Sequence, residues 1–358
     1  MRLALLSAAI LVPLSLIVAA LHAPPLWAFL AAAAAIIPLA EWIRRATEQA
    51  AEHAGPAIGG LLNVTFGNAA ELLIALFVLR SGQTAIVKAT ITGSIIGNNL
   101  LGLGVAIIAG SWGRERQTFK RQRAGLLASL LILSVIALML PALFDLTERG
   151  VATAATAHRL DENLSVGVSV VLIAVYIANL FYTLVTHRGV FESTEEEGKP
   201  AWSLARALAV LAIATALVSA EAEIVSGAIE PAAARLGLPL FFLGVIALPL
   251  IGNAAEYASA FYFARQDRMG LVMTISVGSS IQIALMTAPL LVLLSFALGH
   301  PMDLVFANPL ELIAIAGSAF AVNSIALDGE TTWFEGVMLV AVYALLALAF
   351  FFVSPLSL

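Results

Sequence analysis

The chain has 358 residues, of which 61% are hydrophobic and only 11% charged, with a formal net charge of −5. Ordinary soluble domains are about 45–50% apolar and about 25% charged, so this chain cannot cover a water-facing surface and lipid must be its solvent. It has no cysteine, which excludes disulfides, thiolate nucleophiles and cysteine-based zinc sites.

A helix needs about 20 mainly apolar residues to cross the hydrocarbon core. That ruler predicts an all-α polytopic membrane protein with about eleven transmembrane helices, at 3–21, 24–43, 57–80, 84–109, 122–141, 164–186, 204–225, 239–264, 270–298, 305–325 and 333–353. The first apolar run, behind Arg2, exceeds the roughly 7–15 residues of a signal-peptide core and reads as a membrane span. Residues 22–25 form a tight hairpin to the second span, which Glu48 and Glu52 follow beside Arg44 and Arg45 as a surface ion-pair cluster. The longest polar stretch, His187 to Arg206, carries Glu192 and the run Glu195-Glu196-Glu197. It reads as a solvated linker, with a weak cation-sensing patch as the sharper alternative. Glu221, Glu223 and Glu230 fall at the end of span seven and read as a solvated helix end, with cation gathering as the alternative. Glu41 and Glu311 are weaker candidates.

Lys and Arg in the loops set the orientation. With the N-terminus in the cytoplasm, that side holds Arg2, Arg44, Arg45, the cluster from Arg114 to Arg123, Arg188, Lys199, Arg206, Arg265 and Arg268. The opposite side holds Arg80, Lys88, Arg149, Arg159 and Arg235. The N-terminus is therefore expected inside and the C-terminus outside.

One block recurs. Gly67-Asn68-Ala69-Ala70-Glu71 returns as Gly252-Asn253-Ala254-Ala255-Glu256, and the register continues through Ala75 and Ala260, Arg80 and Arg265, and Gly93-Ser94 and Gly278-Ser279. The blocks lie in spans three and eight. An offset of five spans reverses direction across the membrane, so the halves read as inverted repeats, an architecture of secondary transporters. Residues 1–22 then form an extra N-terminal helix, 23–186 a first five-helix repeat, 187–203 a cytoplasmic acidic linker and 204–358 a second repeat.

Each block puts a carboxylate in an apolar stretch, where a charge costs about 2.5–3.5 kcal/mol or more. Asn68 and Glu71, and likewise Asn253 and Glu256, are three residues apart and would share a helix face. Gly67, Gly252 and Pro249 loosen the helical hydrogen bonding, freeing carbonyls that can line a cavity. Ser94 and Ser279, each beside a glycine, with Asn98, Asn99 and Gln282 one turn on, supply the opposite wall. Two carboxylates with amide, hydroxyl and backbone oxygens make a hard set that suits Ca²⁺. Such a pair is neutralised by one divalent cation or by protons, and exchange follows if only neutralised forms reorient. No HExxH, P-loop or GxSxG pattern appears.

These residues resemble the two alpha repeats of the calcium/proton exchangers, in the cation/calcium exchanger superfamily. The likeness also takes in Arg45-Ala46-Thr47-Glu48, the stretch Gly55 to Asn63 and the acidic central loop. It implies an antiporter rather than an enzyme, with Glu71 and Glu256 alternately metallated and protonated and no cofactor beside the transported Ca²⁺ and H⁺. Asn68, Asn253, Gly67, Gly252, Ser94, Ser279, Asn98 and Gln282 would line the site, and Glu48 and Glu223 match acidic positions on two gating helices. Sodium-coupled relatives generally carry Ser or Thr where Asn68 and Asn253 stand, which favours protons. The implied setting is a prokaryotic plasma membrane, with lipid around the chain, no nucleic acid, and a homo-oligomer left open. Na⁺/Ca²⁺ or Mn²⁺ exchange on the same fold and an uncoupled cation channel are the alternatives.

Overall fold

The structure is a computed structural model that describes residues 2–148, 154–186, 201–306 and 308–353. Helix α1 (Arg2–Ala20) leads through a turn at His22, in the left-handed region at φ 52°, into α2 (Pro25–Phe66). Pro25 starts α2 well because the first helical residue has no amide bond to make. A straight helix of 42 residues would reach about 63 Å, twice the hydrocarbon core. Here it is not straight. A Cβ on Gly59 would sit 2.6 Å from the carbonyl oxygen of Ala51, whereas eight residues of straight helix rise about 12 Å. The chain therefore folds back in the stretch containing Gly55 and Pro56. The expected loop at 44–56 is helical for most of its length, because it is rich in Ala and Glu and braced by ion pairs within one turn.

Helix α3 (Ala69–Arg80) follows a break at Asn68, and α4 (Thr84–Ile96) passes through a π-helical turn at Gly97–Gly102 into α5 (Leu103–Gly110). Helices α6 (Arg121–Glu148) and α7 (Ala154–Phe181) complete the first half. In the second half α8 (Leu204–Leu236) begins at Ser203, whose hydroxyl accepts from the Arg206 amide, and stops at Gly237 in the left-handed region. Then come α9 (Leu240–Phe242), a π-helical stretch Leu243–Ala247, α10 (Leu248–Gly252) and α11 (Ala254–Arg265). Helix α12 (Met269–Gln282) passes through a π-helical stretch at Ile283–Thr287 into α13 (Ala288–Ala297), followed by α14 (Pro309–Asp328) and α15 (Trp333–Phe352). The departure from an all-α reading is small: strands β1 (Gln117–Thr118) and β2 (Glu330–Thr331) pair antiparallel.

Among the described residues eight helices are long and apolar enough to span a membrane, nine if the bent pair Leu240–Gly252 with Ala254–Arg265 counts as one. Helix length alone does not reproduce the expected eleven, in part because α3 is a short piece left by the break at Asn68. The chain is an integral, multi-pass membrane protein, and its outward faces carry apolar residues such as Ile10, Leu133, Ile177 and Phe352.

Connections between the halves gather at two ends. At one, Gly82 abuts the His300 ring, Lys88 Nζ meets Asp303 at 2.9 Å, and Ser226 Oγ donates to the Phe77 carbonyl at 3.0 Å. At the other, β1 pairs β2, Gln117 Nε2 donates to the Ala264 carbonyl at 3.2 Å, and Arg265 donates to the Ala109 carbonyl at 3.3 Å. Trp202 stacks on Trp42 at that end, and its backbone is held by Gln49 and His53. The expected acidic linker lies mostly outside the described residues, which resume at 201. Helices α2 and α8 pack along each other more extensively than any other pair, with α1 beside them.

Candidate functional site

Both repeated blocks break their helices at the asparagine. Asn68 has φ −102° and ψ 24°, and Asn253 has φ −89° and ψ 7°. The second break bends the chain by 55°. Asn68 and Asn253 are thus caps between two half-helices, which corrects the expectation that each shares one continuous helix face with its glutamate. The correction has a chemical consequence. Glu71 and Glu256 fall in the first turn of the new helix, where the positive end of the backbone dipole favours a carboxylate.

The two blocks meet through a crossed set of hydrogen bonds. Ser94 Oγ donates to Glu71 Oε1 at 2.9 Å and accepts from Asn253 Nδ2 at 3.1 Å. Ser279 Oγ donates to Asn68 Oδ1 at 3.2 Å and accepts from Asn98 Nδ2 at 3.0 Å. Each half's serine is therefore bound to the other half's asparagine. Glu71 is 4% exposed, Asn253 0% and Asn98 1%, while Glu256 and Gln282 are half-buried. Four oxygens of this set are buried and without a partner: Glu71 Oε2, Glu256 Oε2, Asn98 Oδ1 and Asn253 Oδ1. Buried acceptors are almost always satisfied, so four at one locus mark a place for a cation. Among the described residues no three of His, Cys, Asp or Glu form a metal cluster; the negative charge comes from two carboxylates and the rest from neutral oxygens.

Glycines decide how near these groups come. A Cβ at Gly252 would lie 2.9 Å from Glu71 Cγ, so only glycine lets Glu71 cross the break of the opposite block. Gly67, its counterpart, faces the Gln282 side chain, whose oxygen would lie 4.0 Å from an added Cβ. Gly93 packs α4 onto Leu243–Gly252, where a Cβ would collide with the Val245 carbonyl and lie 2.5 Å from Pro249 Cγ. Its counterpart Gly278 has nothing within 4 Å of an added Cβ. Gly278 and Gln282 instead border a cavity of about 340 Å³ shared with Leu130, Tyr176 and Asn179. The two halves are alike in sequence and unlike in packing: Gly93 is in close contact with the opposite half, whereas Gly278 borders a cavity.

Not every expected residue arrives. Glu48 is engaged by Arg44, which also meets Glu41 at 2.8 Å; Glu41 additionally binds Arg45. Arg44 and Glu41 are the groups of α2 within electrostatic reach of Glu256. Glu223, matched by likeness to a gating-helix position, lies exposed on α8. Glu221, expected at a solvated helix end, is mid-helix, 0% exposed, and accepts from Ser15 Oγ at 2.6 Å. The error arose from ending span seven at 225; the Ala-rich stretch 228–234 keeps α8 helical until Gly237. Asn99 turns away from its neighbour Asn98 and bonds Ser280 at 2.8 Å and Ser318 at 3.2 Å. Adjacent helical residues point to separate faces, so Asn98 and Asn99 do not face the site together.

Ser94 is a direct test of the crossed arrangement. Ser94→Ala removes a hydrogen bond to a charged group, worth about 1.5–3 kcal/mol, and strands the Asn253 amide. The expected result is Ca²⁺ binding weakened by about ten- to a hundredfold, measured by isothermal titration on the purified protein, with folding retained.

The matching family model, described as sodium/calcium exchanger protein, covers residues 24–185 and 206–352. The chain is 44% identical over 344 residues to a Ca²⁺/H⁺ antiporter of Synechocystis sp., covering 90% of each. It is 41% identical over 346 residues to the Ca²⁺/H⁺ antiporter ChaA of Bacillus subtilis, covering 95% of this chain and 96% of that one. The structure of native YfkE is similar with a TM-score of 0.84 at 36% identity, over 98% of this chain and 100% of that one. The H⁺/Ca²⁺ exchanger CAX shares the fold at a TM-score of 0.74 and 17% identity, over 98% and 92%. With both blocks inside the matched region, this chain belongs to the sodium/calcium exchanger protein family.

Proposed function

We propose that the chain is a secondary active antiporter that exchanges Ca²⁺ for H⁺ across a membrane by alternating access. The observation that carries this is the set of four buried, unpartnered oxygens contributed by both blocks. Glu71 and Glu256 hold Ca²⁺ with Asn253 and Asn98, while Ser94, Ser279 and Asn68 orient them. Gly67, Gly252 and Gln282 shape the walls. Protons compete for the same carboxylate oxygens, so Ca²⁺ affinity falls as pH falls. The bare pair leaves two charges in an apolar bundle, and that cost keeps the empty carrier from reorienting.

The repeats run 23–186 and 204–358, inverted about the site, with α1 as an addition and eleven crossings in total. The two-ended sorting of loop contacts supports this count, since alternating spans bring 110–120 and 326–332 to one side and 81–88 and 299–305 to the other. With the N-terminus in the cytoplasm of a prokaryotic cell, the shut side at Gly93 faces outward and the open side at Gly278 faces the cytoplasm. Helix α1, the part of α2 before its fold-back and α8 then slide against the remainder.

The test is Ca²⁺ flux in proteoliposomes under an imposed pH gradient without Na⁺. Uphill Ca²⁺ movement driven by the gradient is expected. Flux that requires Na⁺ would replace protons by sodium, and only downhill flux would make the protein a channel.

A further inference from the structure

One residue of the connection between the halves is gripped by its backbone. Trp202 lies two residues before α8 and is 8% exposed. Its amide donates to Gln49 Oε1 at 2.9 Å, and its carbonyl oxygen lies 2.7 Å from His53 Nε2. A ring nitrogen facing a carbonyl oxygen carries the proton and donates it. Gln49 turns its oxygen to Trp202 because its own Nε2 donates to Glu52 at 3.0 Å. Trp42, Gln49 and His53 are seven and four residues apart, spacings that share one face of a helix. That face is a row of ring, amide and imidazole about 16 Å long, and Trp202 is held along it.

The indole makes the second half of the grip. It stacks on Trp42, with ring centroids 5.7 Å apart and 23° between the planes. From α8, the Arg206 guanidinium lies over the same ring at 4.8 Å. Trp202 therefore joins side chains of α2 and α8, which belong to opposite halves. Ser203 follows at once and caps α8 by accepting from the Arg206 amide, so there is no slack between the gripped residue and the helix. Trp42, Gln49 and His53 all precede the fold-back of α2, on the part that slides. The start of α8 cannot shift along α2 without breaking two hydrogen bonds and a ring stack together.

We propose that Trp202 is a positioning residue for transport: it fastens the start of α8 to α2, so that the two helices travel as one unit through the whole cycle. The two glutamates sit one in each half, and a cation between them leaves to one side only when both halves open it there. The sliding helices, one from each half, must therefore arrive together. Packing alone secures this poorly. The buried residues of both helices include many alanines, such as Ala46 and Ala50 on α2 and Ala207 and Ala214 on α8. Small side chains let backbones approach closely, but a smooth alanine surface resists slip along the axis only weakly. The Trp202 grip adds directional bonds where the helices offer none.

This rests on the antiport reading, and the experiment separates the two. The chain has no cysteine, so Gln49→Cys with Ala201→Cys introduces the only two thiols, one on each side of the grip. A short bismaleimide joins them, and mass spectrometry confirms the link. The full-length protein in proteoliposomes is assayed for pH-gradient-driven Ca²⁺ uptake as wild type, Trp202→Ala and Trp202→Phe. The double-cysteine protein, with and without Trp202→Ala, is assayed before and after linking, and thermal melts check the fold. Trp202→Ala is expected to lower kcat by about three- to tenfold, the scale of one aromatic pair, with KM for Ca²⁺ unchanged. Trp202→Phe keeps a ring against Trp42 and should run near the wild-type kcat. Gln49→Cys removes one bond of the grip, so the double-cysteine protein should speed up on linking even if Trp202→Ala does not fold. Linking should also restore kcat where Trp202→Ala is present. Linking that stops transport would show that α2 and α8 part during the cycle. Full kcat in Trp202→Ala, or a loss that linking does not repair, would show that the ring only packs. Either result overturns the fastening while wild-type uptake stands. A wild type without proton-driven uptake would overturn the antiport reading and the fastening with it.

Discussion

Replacing Glu71 or Glu256 by Gln is expected to abolish Ca²⁺ transport driven by a pH gradient, to below about 1% of the wild-type rate. Gln preserves size and one acceptor oxygen, so Ser94 can still donate at position 71 and the close passage beside Gly252 is kept. What changes is charge. With one carboxylate left, a bound divalent cation carries an unbalanced charge into an apolar site, and an unpaired buried charge costs about 3–5 kcal/mol. That corresponds to a factor of about 10²–10³ or more in affinity. The proton half of the cycle fails as well, because an amide accepts no proton near neutral pH. Proteoliposome flux measures the loss, and isothermal titration at two pH values separates its parts: wild type should bind Ca²⁺ more weakly at the lower pH, and the variants weakly at both. A variant that kept half the wild-type rate would place the Ca²⁺ charge balance on other groups.

The second large effect concerns two glycines that the repeat makes equivalent and the packing does not. Gly278→Val should fold with a melting temperature close to wild type, because nothing lies within 4 Å of an added Cβ. It should nevertheless transport at less than about a tenth of the wild-type rate. The reason lies in the proposed inverted repeats: if the halves exchange packing between states, Gly278 meets backbone in the opposite state as Gly93 meets Val245 now. Valine at that position blocks a close helix approach built on small residues. Gly93→Val strikes the packed contact directly, against the Val245 carbonyl and Pro249. Overpacking of that kind typically costs about 1–3 kcal/mol, so this variant should lower the melting temperature. Flux and thermal melts on both variants decide the matter. A Gly278→Val protein with full activity would mean that the two halves do not interchange their packing.

Much of the site was legible because charge in an apolar stretch is rare and repetition rarer still. Glu71, Glu256, Asn68, Asn253, Ser94 and Ser279 were visible as polar residues in register and Asn98 as a polar residue one turn after Ser94, and the structure brings them close together. Glu221 was misplaced because its polar neighbours resembled a helix end although α8 continues past them. Glu223, two residues on and matched by likeness to a gating position, is exposed on α8.

The sequence by itself determined the membrane class, the duplication and the chemistry of the donor set. Those properties follow from composition and residue identity, which local physics reads directly. Tertiary structure alone decided that each half's serine meets the other half's asparagine, that each helix breaks at its asparagine, and that Gly93 is packed while Gly278 is free. Segments that repeat in sequence still differ through what they touch, and contacts between the halves are set by the packing of whole helices rather than by the spacing along any one of them.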